Sequence, residues 1–352
     1  MSRAGNACFV VQSETQEESF VMKPCTTMIA AGLLAAAAAF ASGPAVAQQK
    51  LVLKATDVHP LGYPTVEAVV RMGKKLEAAT NGRISIQMFP SMQLGGEKEM
   101  IEQAQVGALQ IARISLGPMG SLVPELNAFN LPFVFRDPAH MTKVVTGPIG
   151  DEMLKKLSDH PTANLIGLAW MSGGTRNVYN SKKPIRTMDD LKGLKIRMMG
   201  NPIFVDTMNA MGGNGVAMGY DQLINALQTG VVDGAENNEP SYSSGQHYRY
   251  AKYYTMTQHL IIPEILVFSK RTWTTLSKAD QDLIMKTAKE AQTEQWKLWD
   301  EMEKKAIADM KANGVEIIKI DNSAMAAAVK KAVYEKHAKP LQPFIARVQA
   351  VK

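Results

Sequence analysis

The sequence predicts an α/β protein built as two lobes with a crevice between them and one long helix spanning both. Three observations carry that expectation. Strand and helix patterns alternate in two successive series, a glycine-containing turn separates the series, and one helical run is longer than a small domain needs.

Ahead of the first strand, Met28 to Phe40 reads MIAAGLLAAAAAF, apolar but too short for an ordinary membrane-spanning helix. Lys23 precedes it, and Ala45-Val46-Ala47 supplies the A-x-A pattern of a signal-peptidase site, so residues 1–47 are expected to be a cleaved leader with maturation near Gln48. Glu14, Glu17 and Glu18 suit such a leader poorly, which makes Met22 a rival start to Met1. Both cysteines, Cys8 and Cys25, lie in the leader, so the mature chain is expected to use neither disulfides nor thiol chemistry. Removing the leader takes away Arg3 and Lys23 against those three glutamates, and the formal charge of +6 becomes +7.

The mature start, KLVLKAT, alternates as a strand. From Pro64 to Thr80, Val66, Val69, Val70, Met72 and Leu76 keep helical spacing, and Asn81 with Gly82 ends the run. RISIQMF is a second strand, GEKEMIEQAQ a short helix and ALQIARIS a third strand, on which Arg113 and Ser115 share one face. This β-α-β-α-β order favours a mostly parallel sheet covered by helices. A polar helix is expected near 139–158, followed by the strand ANLIGLAW and a glycine-containing bend, MSGGTRNVYN.

Alternation restarts in LKGLKIRMM, where Leu194, Ile196 and Met198 alternate with Lys195, Arg197 and Met199. The pattern reads as a strand with one buried face, and Arg197 points away from that face near the strand's end. Asn201 then stands as an N-cap and Pro202 at the first helical position, a strand-to-helix junction of the kind that holds ligands in α/β proteins. A helix over 202–211, YDQLINALQTG and VVDGAENN complete the second series. Ser277 and Asp280 form a capping box ahead of a helical run through Leu283, Ile284, Ala288, Ala291, Trp296, Trp299, Met302 and Met310 to Asn313 and Gly314. At 1.5 Å per residue that helix would be roughly 50 Å long, enough to brace both lobes.

Several chemistries find no support. H-E-x-x-H, G-x-S-x-G, P-loop and paired C-x-x-C motifs are missing from the mature sequence. GGNGVAMG, from Gly212 to Gly219, misses dinucleotide-binding spacing because Met218 takes the last glycine slot. The histidines do not pair at helical metal-ligand spacing, so neither a metal nor a cofactor is expected. Basic residues are dispersed without interleaved aromatics, which argues against a nucleic-acid partner, while the positive balance suits a small anion.

SMQLGGEKEMIEQAQVG, NAFNLPFVF, LKGLKIRMM and LQTGVVDGAENN occur in the order and spacing of one family. From Lys50 to about Ile318 the chain resembles the solute-binding proteins of tripartite ATP-independent periplasmic (TRAP) transporters, the DctP-like family. The resemblance implies a two-lobed, periplasmic-binding-protein-like fold joined by hinge strands, with an interlobe cleft that closes on a carboxylate-bearing solute. It implies a periplasmic carrier rather than an enzyme, one that passes its solute to the membrane permease subunits. With it, lobe I is expected over 48–172 plus 263–300, and lobe II with the C-terminal helices over 173–262 plus 301–352. A monomer or a homodimer is compatible with it.

By the same resemblance Arg197 is the residue whose two parallel N–H groups clamp the solute carboxylate, a geometry lysine lacks. Arg176 matches a second arginine of the pattern, Asn237 a ligand amide with Asn238 its rival, and Tyr220 a site-facing aromatic. Glu97 falls at an acidic position suited to ligand hydroxyls. Arg113 and Ser115 are expected to look into the crevice, and Asp57 and His59, after the first strand, are further polar candidates. Such a set suits a hydroxylated acid, and ENNEPSY resembles the subgroup that takes sugar acids, so uronates and aldonates lead; Glu239 departs from the aromatic that members often carry there. The rival reading is a periplasmic lyase or isomerase of acidic sugars, with Glu97 or His59 as its base. A sensor subunit that presents its closed form to a receptor is a third.

Overall fold

The computed structural model describes residues 50–352, and the expected leader, its cleavage site and both cysteines lie outside the described residues. The chain opens with β1 (Leu51–Thr56), α1 (Pro64–Ala79), β2 (Ile84–Phe89), α2 (Glu97–Val106) and β3 (Ile111–Ser115). β1 pairs in parallel with both β2 and β3, the arrangement that β-α-β-α-β order favours. α3 (Leu116–Leu122), α4 (Pro138–Thr146) and α5 (Pro148–Asp159) follow. The single helix expected near 139–158 is thus two, because Gly147 is extended and Pro148 starts a new helix at its first position.

Next come β4 (Leu165–Asn180), β5 (Lys195–Met198), α6 (Pro202–Ala210), β6 (Asn214–Ala217), α7 (Leu223–Gln228), β7 (Gly234–Asn237) and α8 (Glu239–Ser244). β5 pairs in parallel with β6 and β7, and Asn201 caps α6, its side chain accepting the Ile203 N–H at 2.9 Å. The chain then runs through β8 (Tyr253–Ser269), α9 (Lys270–Trp273), α10 (Lys278–Ala312), β9 (Glu316–Lys319), α11 (Ser323–Val329), α12 (Glu335–His337) and α13 (Gln342–Ala350).

The strands lie in the order β2-β1-β3-β8-β4-β7-β5-β6, with β9 on β8. Two parallel wings, β1–β3 and β5–β7, flank the long strands β4 and β8, which are antiparallel to each other and to the wing strands they meet. The sheet is therefore mixed rather than mostly parallel. Its centre is two extended segments running opposite ways between the wings, and pairing satisfies their backbone groups. The expected bend MSGGTRNVYN is part of β4. Register shifts against β8 absorb the irregularity, and at Gly174 (φ +69°) a Cβ would meet the Trp299 ring at 2.5 Å.

α10 is 35 residues long, about 52 Å. Ile284, Ala288 and Ala291 near its start pack with Leu53 and Met72 of the first wing, and Met310 near its end packs with Tyr179, Tyr242 and Tyr254 beside the second. Ser277 caps it by accepting the Asp280 N–H at 3.1 Å, but the return half of the box does not form because the Asp280 carboxylate pairs with Arg83. The segment after β9 crosses back: Val333, Ile345 and Val348 share a core with Phe204 and Met208 of α6 and with Phe129 and Met141. His337 Nε2 lies 2.6 Å from Asp206 Oδ2, while Arg347 Nη2 donates to Glu152 at 2.7 Å. Among the described residues no helix is long and apolar enough to cross a membrane.

Candidate functional site

The C-terminal ends of β1, β3, β5 and β7 converge where the wings meet, the position at which open α/β sheets hold ligands. A small, polar cavity lies there. Val58, His59, Glu97 and Ser115 line it from the first wing, Arg176 and Glu264 from the central strands, and Arg197, Met199, Tyr220, Asn237 and Ser241 from the second wing. A wider depression adjoins it, sharing Glu97, Arg197, Met199 and Tyr220.

Arg197 is the unusual member. The sequence pattern gave its strand one buried face, yet Ile196, Arg197 and Met198 are all buried, because the second face closes over the cavity instead of solvent. Arg197 is 2 % exposed, and its Nε donates to Met218 O at 2.8 Å. Among the described residues no carboxylate pairs with it, and both Nη groups lack a protein partner. Burial pulls its pKa below the ordinary arginine value, the Glu236 carboxylate opposing and the Arg176 charge adding to the shift. A buried cation without a counter-ion is costly unless an anion arrives to pair with it. Tyr220 presents its ring 6.0 Å from the guanidinium carbon, and its hydroxyl lies 3.4 Å from His247 Nε2. Burial and the Arg197 charge push His247 down to about 3, so it is neutral and adds no second cation.

Arg176 has the opposite condition. Its Nε and Nη2 grip the Glu236 carboxylate, Nη2 also donates to Glu236 O at 2.8 Å, and Nη1 donates to Asn237 Oδ1 at 2.8 Å. Asn237 Oδ1 also accepts the Asn238 N–H at 2.9 Å, so the oxygen of that amide is taken and its NH₂ is left to serve the cavity as a donor. Asn238, the rival, does not line the cavity. It caps α8 by accepting the Ser241 N–H at 2.8 Å, and its Nδ2 donates to Gly173 O at 2.7 Å. Its place just before α8 decides this, since Asn is a preferred N-cap.

The first-wing wall is built on Arg113, which is fully buried. Its Nη1 donates to Glu97 Oε1 at 2.9 Å and Glu264 Oε1 at 3.1 Å, and its Nη2 donates to Asp57 Oδ1 at 2.6 Å. Arg113 and Asp57 therefore stand behind the cavity, not on its surface as the sequence suggested, because three carboxylates enclose the guanidinium. Beside that cation the Asp57 carboxyl, though desolvated, is held well below the usual carboxylate range. Glu97 Oε1 also accepts from Ser115 N and Oγ, each at 2.8 Å. His59 Nδ1 lies 2.9 Å from both Asp57 Oδ1 and Arg113 Nη2, and its ring stacks on Tyr63 at 3.7 Å. Across the cleft, Ser241 Oγ is 3.2 Å from His59 Nε2 and 2.8 Å from Tyr63 Oη. Glu264, Ser241, Met199 and Val58 line the site without having been singled out in the sequence; β8 carries Glu264 in an apolar run with no motif around it.

The model of the bacterial extracellular solute-binding protein family 7 matches residues 55–340. A TRAP periplasmic solute-binding protein from Pseudomonas putida F1, solved with bound D-glucuronate, is 50 % identical, with a TM-score of 0.84 over 86 % of this chain and 98 % of that one. One from Bradyrhizobium sp. BTAi1, complexed with D-galacturonate, is 44 % identical, with a TM-score of 0.81 over 84 % and 99 %. One from Citrobacter koseri is 43 % identical. Its form with bound D-glucuronate has a TM-score of 0.83 over 86 % of this chain and 99 % of that one, and its ligand-free open form has 0.74 over 85 % and 99 %, so the present arrangement is closer to the liganded state. The chain belongs to the bacterial extracellular solute-binding protein family 7.

Proposed function

With membership of that family as the premise, we propose that the protein is the extracytoplasmic receptor of a TRAP transporter and that its solute is a sugar acid, a hexuronate such as D-glucuronate or D-galacturonate first. The observation that carries this is the Arg197 guanidinium, buried on the cavity wall with its Nη groups unpartnered. Its fork takes the solute carboxylate, and the Asn237 amide and the remaining Arg176 Nη1 hydrogen add donors beside it. Glu97, at the far wall, accepts from the sugar hydroxyls. One cation without a counter-ion at one wall and carboxylates at the other favour a mono-acid with hydroxyls over a dicarboxylate. The bound sugar acids of the two glucuronate relatives and the galacturonate relative support the same class.

The two wings act as lobes, 48–172 plus 263–300 against 173–262 plus 301–352, hinged at β4 and β8. Contacts from both lobes to one solute hold the closed form, which the permease subunits receive. Export by a cleaved leader to the periplasm fits this role. The rival lyase or isomerase reading needs Glu97 or His59 as its base, and the fate of the bound sugar acid on incubation decides between the two.

Titration calorimetry with D-glucuronate, D-galacturonate, succinate and D-glucose tests the reading. Tight binding of the uronates, weak binding of succinate and none of glucose are expected; glucose bound as well as glucuronate would remove the carboxylate clamp. NMR of the uronate after long incubation should show it unchanged.

A further inference from the structure

Glu264 sits mid-strand on β8, between Arg113 and the cavity, 4 % exposed. Its Oε1 accepts from Arg113 Nη1, while Oε2 is buried and has no partner among the described residues. Glu97 Oε1 crowds onto the same Nη1, and Asp57 takes Nη2, so one guanidinium faces three carboxylates. That excess of buried negative charge is relieved most cheaply by a proton.

The hydrogen bonds single out where the proton resides. Asp57 accepts from Arg113, the His59 N–H and Thr65 Oγ1. Glu97 accepts from Arg113 and twice from Ser115. Glu264 has Arg113 and a long contact to Ser115 Oγ at 3.4 Å. It is the least served of the three.

We infer that Glu264, within the lobe I cluster, is a neutral carboxylic acid before and after the lobes close and donates its O–H to an oxygen of the bound sugar acid, which makes it a specificity-determining residue and links capture to a held proton. The inference rests on the sugar-acid reading above. A sugar hydroxyl offers one donor and free lone pairs, so Glu97 takes the hydroxyl proton and Glu264 supplies one to a lone pair. The groups facing Glu264 are Asp57 and His59 after β1, Tyr63 before α1, Glu97 on α2, Arg113 on β3 and Arg176 on β4. The arginines oppose protonation: Arg113 in direct contact, Arg176 although it is paired with Glu236, and Arg197 from the opposite wall of the same cavity. Burial pushes the Glu264 carboxyl up to about 7 against the pull of Arg113.

Two measurements test this. Without ligand, melting temperatures of the wild type and Glu264→Gln are compared between about pH 5 and about pH 8, above the ordinary glutamate value of about 4.3. The native acid keeps a proton that the unfolded chain gives up, so its contribution to stability falls as pH rises through that window. The variant's advantage should widen with pH; a constant gap would overturn the protonated state. With D-glucuronate, wild-type affinity should fall by up to about tenfold per pH unit above neutrality. Glu264→Gln, which keeps a donor, should bind with a flat profile, and Glu264→Ala should bind worse. A flat wild-type profile, or a Gln variant as impaired as the Ala variant, would overturn the donation. Should the Gln variant not fold, wild-type calorimetry in two buffers of different ionisation enthalpy counts the proton directly. Should neither uronate bind the wild type at any pH, the sugar-acid reading fails and the donation with it, while the ligand-free comparison still decides the proton.

Discussion

Arg113 and Arg197 lie on comparable strands, β3 and β5, in the two wings, and both are buried, yet their surroundings are opposite. Arg113 is enclosed by Asp57, Glu97 and Glu264. Arg197 has one backbone carbonyl. The first is a structural cation whose energy is realised on folding; the second is held in an unfavourable state that folding sustains and an anion relieves. A buried arginine in a cleft is thus informative only together with its partners: the neutralised one organises a wall, and the one lacking a counter-ion makes the site. Arg176 belongs with Arg113 in this respect, since Glu236 neutralises it before any solute arrives.

If that contrast holds, the largest effect should come from Arg113→Met, which strands the Asp57 and Glu97 carboxylates and should cost about 3–5 kcal/mol of stability in urea denaturation. An unchanged midpoint would mean that the carboxylates find other partners. Arg197→Ala should leave ligand-free stability intact or improved while weakening D-glucuronate by about 2–5 kcal/mol in calorimetry. A loss of stability as large as that of Arg113→Met would erase the distinction between the two. Arg197→Lys keeps the charge but loses the fork, at about 1.5–3 kcal/mol of affinity, one charged hydrogen bond. The smallest effect is expected from Ser241→Ala, which removes the contact across the cleft to His59 and Tyr63. It should lower affinity by about 0.5–1.5 kcal/mol and enlarge the ligand-free particle in small-angle scattering; identical scattering profiles would show that the contact does not favour closure.

Much of the fold follows from periodicity. β1, α1, β2, α2 and β3 appear where alternation and helical spacing put them, and α10 runs from its Ser277 cap to Asn313. β8 escaped because its sequence, YYTMTQHLIIPEILVFS, is buried on both faces over much of its length and so does not alternate. β4 escaped in part because a glycine pair that elsewhere marks a turn is here a bulge. In the site, the strand-to-helix junction pointed to Arg197, and the family motifs to Glu97, Tyr220 and Asn237, all of which line the cavity. Asp57, Arg113 and Asn238 are close in sequence to cavity residues but lie behind them, and Glu264 and Ser241 came from segments with no pattern of their own.

By itself the sequence determined most strands and helices of the two wings, the long helix, and that an arginine lies near the end of a strand just before a capped helix, while an exported leader stays its expectation. These are local matters, set by side-chain spacing and capping within a few turns of chain. Tertiary structure alone decided which arginine keeps its charge uncompensated, which amide atom faces the cavity, and which of three carboxylates is left short of donors. Each of those depends on partners far apart in sequence, Arg113 with Glu264 and Arg176 with Glu236 among them. A charge in a low-dielectric interior is governed by what lies within a few ångströms of it, and only folding brings those groups there.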